Sequence, residues 1–154
     1  MSDETKPPEV KTAPDAPSAE TRRRARGHWE QAVESLRLAR KAAKSGDGLQ
    51  SGYLSLQGAL NALRALCMLH GHMQPPAYSP SALAALLAAE TPELAALAEP
   101  CNALESVQAL NPFAAGRDPA AERQQAADAL ARGEAVLSLV RAHLKANRAL
   151  FFAP

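Results

Sequence analysis

The sequence predicts an all-α fold: an antiparallel bundle of three long helices plus two or three short helices. Apolar residues recur at alternating four-and-three spacing in three stretches: Ala25, Trp29, Ala32, Leu36, Ala39 and Ala43; Leu49, Tyr53, Leu56, Leu60, Leu63 and Cys67; and Ala126, Leu130, Gly133, Leu137, Val140 and Leu144. That spacing places each set on one face of a helix, which must then be buried. Capping side chains followed by proline, at Ser79-Pro80, Thr91-Pro92 and Asp118-Pro119, mark further helix starts. Seams rich in alanine and leucine let helices approach closely at shallow crossing angles.

At 154 residues, 47% apolar and 21% charged, the chain is sized for one domain with one core. Residues 1–17 carry Pro7, Pro8, Pro14 and Pro17 with mixed charge, and so are predicted to be a disordered tail. Residues 18–147 form the bundle domain, and residues 148–154 a short apolar tail. Ser18 is the expected N-cap of the first helix, which runs to about Lys44 and ends in the turn Ser45-Gly46-Asp47-Gly48. The second helix, from about Leu49 to His70-Gly71, carries a second apolar strip (Ala59, Ala62, Leu66, Leu69) and is therefore the central one. Gly58 within it is unfavourable by about 1 kcal/mol relative to alanine, which points to close approach of another backbone. Short helices are expected from Pro80 to about Glu90 and from Pro92, with Pro100 breaking or kinking the latter. The last long helix runs from Pro119 to about Asn147.

Chemistry is harder to find. Neither a paired C-x-x-C, H-E-x-x-H or E-x-x-H metal motif nor a nucleophile elbow or phosphate loop is present. Cys67, His70, His72 and Met73 form C-x-x-H-x-H-M, a soft donor set that copper or zinc favours; the simpler expectation is a buried cysteine and loop residues, with no cofactor. Arg22, Arg23, Arg24 and Arg26, with Arg37, Arg40, Lys41 and Lys44, suit a phosphate-bearing partner. A net charge of +1 and the nearby Glu20, Glu30 and Glu34 favour a plain solvated face instead. The loop Asn111 to Arg117 and Asp118, ahead of a helix N-terminus at Pro119, offers donors for an anion. Phe151 and Phe152 either fold back on the bundle or dock on a partner. Without an apolar run of about 20 residues or an N-terminal apolar region, the expectation is a cytoplasmic protein with no membrane contact.

The element order and the central helix resemble the HEPN superfamily of prokaryotic helical bundles. The likeness rests on Tyr53, Gln57-Gly58-Ala59 and Ala62-Leu63-Arg64-Ala65-Leu66, leading into His70-Gly71-His72, and spans about residues 25–146. Leu60 stands where a glutamate is usual. Nuclease members carry an arginine, four to six residues and then a histidine in a later helix, whereas here no histidine follows Arg117 until His143. The resemblance therefore implies a non-catalytic binding module of a regulatory or defence system. Its partner would be a protein, a nucleotide or RNA, engaged through Asn111, Arg117, Asp118, Phe151 and Phe152; the alanine-rich seams equally suit a homodimer made through the outer face of a bundle helix. The alternatives are a metal-independent RNase using the displaced pair Arg64 and His70, or a helical adaptor.

Overall fold

The computed structural model describes residues 16–75, 79–108 and 118–152. In order these hold α1 (Ala19–Lys44), α2 (Gly48–Leu69), α3 (Pro80–Glu90), a 3-10 turn (Pro92–Leu97), α4 (Ala98–Gln108), α5 (Pro119–Ala146) and α6 (Arg148–Phe152). The fold is an all-α bundle of three long helices with short ones. Among the described residues no helix is long and apolar enough to cross a membrane.

Local chemistry sets most boundaries. Ser18 Oγ accepts from Thr21 N at 3.1 Å and opens α1. Asp47 Oδ1 accepts from Gln50 N at 3.1 Å and opens α2, while Ser79 and Asp118 cap α3 and α5 ahead of their prolines. Between α1 and α2, Gly46 takes φ 81°, which lets Asp47 N reach back to Ala42 O at 2.9 Å. Two expectations change. Thr91-Pro92 opens a 3-10 turn without a side-chain cap rather than an α-helix. Pro100 then falls in the first turn of α4, where its missing N–H has no helical partner to lose, so it belongs to the start of a helix and breaks none.

The long helices meet around Leu36. A Cβ on Gly58 would lie 3.1 Å from Leu36 Cδ2 and 3.3 Å from Ala32 O, and one on Gly133 would lie 3.1 Å from Ser55 O and 3.2 Å from Leu36 Cδ2. The two glycines thus let α2 and α5 close on a leucine of α1. Contacts also give the direction of each helix. Ser51 Oγ donates to Ala39 O at 2.9 Å, and His28 meets Asn61, so α2 runs opposite to α1. Arg40 reaches Glu134 while Arg141 lies over Trp29, so α5 also runs opposite to α1. Gly48 faces Ala126, Gly133 faces Ser55, and His70 meets His143, so α2 and α5 point the same way. The connection through α3 and α4 carries the chain back along the bundle to permit this.

As the second apolar strip predicts, α2 is the central helix, buried at fourteen of its residues, from Ser51 through Leu69. The outer parts of two seams are less covered: Leu49 and Tyr53 are exposed, and Ala43 lies at the surface. Glu105 of α4 accepts from Ser81 N at 3.0 Å and from Ser81 Oγ, tying α4 to the first turn of α3. The tail folds back: α6 inserts Phe151, which is fully buried, against the ends of α2 and α5.

Candidate functional site

Of the residues the sequence nominates, Asn111, Arg117 and the side chain of Phe152 lie outside the described residues. Asp118 is the N-cap of α5, with Oδ1 accepting from Ala120 N at 3.1 Å, so its carboxylate already serves the helix. Arg64 is half-buried on α2, and His70 is the C-cap of the same helix. Six residues of helix turn them roughly 120° apart, so they do not share a face.

The Cys-His-His-Met set disperses. The Cys67 thiol is buried, and desolvation pushes its pKa up to about 12, which keeps it protonated. His72 Nε2 meets Glu90 Oε2 at 2.9 Å, and Met73 is turned to solvent. Among the described residues no group of three or more His, Cys, Asp or Glu is placed to hold a metal ion. His70 turns inward instead, with Nε2 3.1 Å from Nε2 of His143 and ring centroids 5.3 Å apart. The nitrogens thus lie close to the line joining the rings, the shape of an N–H···N hydrogen bond rather than of two lone pairs converging on an ion.

Beside His143 a groove of about 350 Å³ runs between the 3-10 turn and α5, lined by Glu93, Leu94, Leu97, Leu139 and Asn147 among others. A wider, shallower one of about 620 Å³ follows the outside of the α1–α2 pair along Glu30, Gln31, Glu34, Leu54, Gln57 and Asn61.

A basic stripe lies on the other side of α1. Arg22, Arg26, Trp29, Val33, Arg37, Arg40 and Lys44 recur every three or four residues and make one stripe. Arg40 Nε donates to Glu134 at 2.8 Å, and the Arg141 guanidinium sits 5.5 Å from the Trp29 ring centre, so this stripe borders α5. There the exposed Arg141 and Lys145 add to it. The acids of α1 point elsewhere: Glu20 pairs with Arg23 and Arg24, and Glu30 and Glu34 line the α1–α2 groove. Glu34 does hold Arg37 from the edge of the stripe, at 2.6 Å, a contact that lowers the carboxyl pKa and raises that of the guanidinium. Arg26 and Lys44 make no ion pair among the described residues.

In sequence order the basic residues form a run in which Glu20, Glu30 and Glu34 balance them. Sorting the same residues by helical phase separates the signs, and that signal was present in the spacing. The His70–His143 contact had no such signal, because it joins residues far apart in the chain. No protein-family model matches this chain, and no curated protein or solved structure does either.

Proposed function

We propose that the protein is a non-catalytic helical binding module, HEPN-like in the character of α2, whose α1–α5 flank engages the phosphate backbone of a nucleic acid. The observation that carries this reading is the cationic stripe on α1, extended by Arg141 and Lys145, with Glu134 as the acid set between them. From Arg22 to Lys44 it extends about 33 Å at 1.5 Å per residue. Arginine forks suit phosphate oxygens, and a row of fixed cations releases condensed counterions when it binds. Trp29, half-covered beneath Arg141, offers little free ring for base stacking, so affinity should depend on charge more than on sequence. The near-neutral whole chain is no obstacle, since the field that counts is local.

Fluorescence anisotropy with a labelled RNA of roughly 20 nucleotides tests this, read from about 50 to about 200 mM salt. The wild type should bind in the micromolar range at low salt, with affinity falling steeply as salt rises. The variant R26E/K44E changes two exposed side chains outside any ion pair among the described residues. It should bind at least about tenfold more weakly and show a shallower salt dependence, with an unchanged circular-dichroism spectrum. Absence of RNA binding at low salt, equal binding by the variant, or capture by anionic vesicles but not by RNA would each overturn the proposal.

A further inference from the structure

Where α2 and α5 end together, two histidines with facing nitrogens lie under the aromatic ring of the last helix. We propose that the His70–His143 pair is an acid-sensitive latch, closed while the two rings share a single N–H between their Nε2 atoms and opened by further protonation, which releases Phe151 and α6 from the bundle. This goes beyond partner binding on the α1–α5 flank and does not depend on it.

The hydrogen-bond network fixes the starting state. Asn147 Nδ2 donates to His143 O at 2.9 Å and faces His143 Nδ1 at 3.4 Å. With Nδ1 as acceptor, His143 carries its proton on Nε2 and donates it to His70 Nε2, 3.1 Å away. A proton added to His70 goes to that same Nε2 and sets N–H against N–H. One added to His143 goes to Nδ1, against the Asn147 amide. Neither fits without movement, and two imidazoliums at this distance repel.

The object held by the pair is small. Phe151 packs edge-on to His70 with centroids 5.3 Å apart and tilted to His143 at 5.8 Å. In α6, Arg148 and Ala149 are exposed, so among its described side chains Phe151 alone is buried. Phe151 N also donates to Asn147 O at 3.2 Å, so the base of α6 and the latch share Asn147.

The other groups facing the pair set where it trips. Burial is the main influence lowering both histidines, and for His70 the neighbouring His143 and His72 add to it. Glu93, on the 3-10 turn, opposes this for both, and Glu90, at the end of α3, for His70. Glu90 is itself engaged by His72, and the nearby Cys67 thiol is uncharged. The folded protein thus holds fewer protons than the unfolded chain just below the ordinary histidine value of 6.5. Stability from the closed latch is complete above that value and is lost as pH falls through it toward the lower folded values. Opening uncovers the Phe151 socket next to the groove along Leu94, Leu97 and Leu139.

The test is an NMR titration of the full chain from about pH 8 to about pH 5, following the His70 and His143 ring signals and the proton–proton contacts from the Phe151 ring to both. The expected result is loss of the Phe151 contacts in step with histidine protonation, while Leu36 and Leu63 signals remain native. His70→Gln removes one of the two charges, and its α6 should stay docked at the acid end; His70→Asn repeats the test with a shorter amide. Phe151 contacts that survive full protonation of both histidines would overturn the latch. So would release at an unchanged pH in both variants, or loss of core and Phe151 signals in one step.

Discussion

The α1–α5 flank and the α3–α4 layer carry opposite charges and use them differently. Between Arg64 and Arg117 the sequence has no lysine or arginine, so the charged side chains of the second region are the acids Glu90, Glu93, Glu99 and Glu105. Three of these four have work inside the molecule. Glu90 holds His72, Glu99 pairs with Arg132 of α5, and Glu105 caps α3 through Ser81. On the flank, Arg26, Lys44 and Lys145 make no ion pair among the described residues and lie on the same side as Arg22, Arg40 and Arg141. Charge consumed by the fold reads as architecture. Charge of one sign, left in phase along a helix, is available to a partner.

That contrast can be broken at its scaffold first. Gly133→Val adds a side chain where even a Cβ would crowd Ser55 O and Leu36, forcing α5 away from α1 and α2. The expected loss is about 3 kcal/mol of stability in urea unfolding, together with loss of RNA binding, since the flank needs both helices. An unchanged unfolding midpoint would show that the helices separate without cost. Next in size, Glu105→Ala leaves the first turn of α3 without its acceptor and should cost about 1 kcal/mol. Hydrogen bonds from Ser81 hold the Glu105 carboxyl below its ordinary value. Its contribution is therefore present above the unfolded carboxyl pKa and is lost as pH falls through the lower folded value. The wild type and Glu105→Ala should converge in stability at acid pH and RNA binding should not change; a constant gap down to strong acid would assign the loss to packing. The smallest effect belongs to Glu34→Gln. This exposed pair contributes little to folding, so the melting temperature should not move, but freeing Arg37 should raise RNA affinity slightly at low salt. A fall in affinity would mean that Glu34 orders the stripe rather than diluting it.

What could be read from the sequence was local. Ser18, Ser79 and Asp118 bond to amides two or three residues away, so their caps are visible in a short window. Gly58 and the two-sided apolar character of α2 correctly indicated a closely approached central helix. Thr91-Pro92 marks the start at Pro92 but not the helix type, because a cap-and-proline pair fixes where a turn begins and not which helix follows it. The common direction of α2 and α5, the joining of His70 to His143, and the border between the α1 stripe and α5 depend on contacts across the bundle, and periodicity carries no information about those.

Two parallel long helices have a consequence for the order in which the chain assembles. The α1–α2 hairpin closes through the turn Ser45–Asp47, so its contacts need little chain to be brought together. α5 reaches the same core only after the chain has travelled back through α3 and α4, and the entropy of closing that longer loop comes before any of its contacts form. Leu36 would then wait in the hairpin with one glycine against it until Gly133 arrives. The basic flank, made jointly by the first and last long helices, is completed late, so a nascent or truncated chain would hold the hairpin and present only half of the surface.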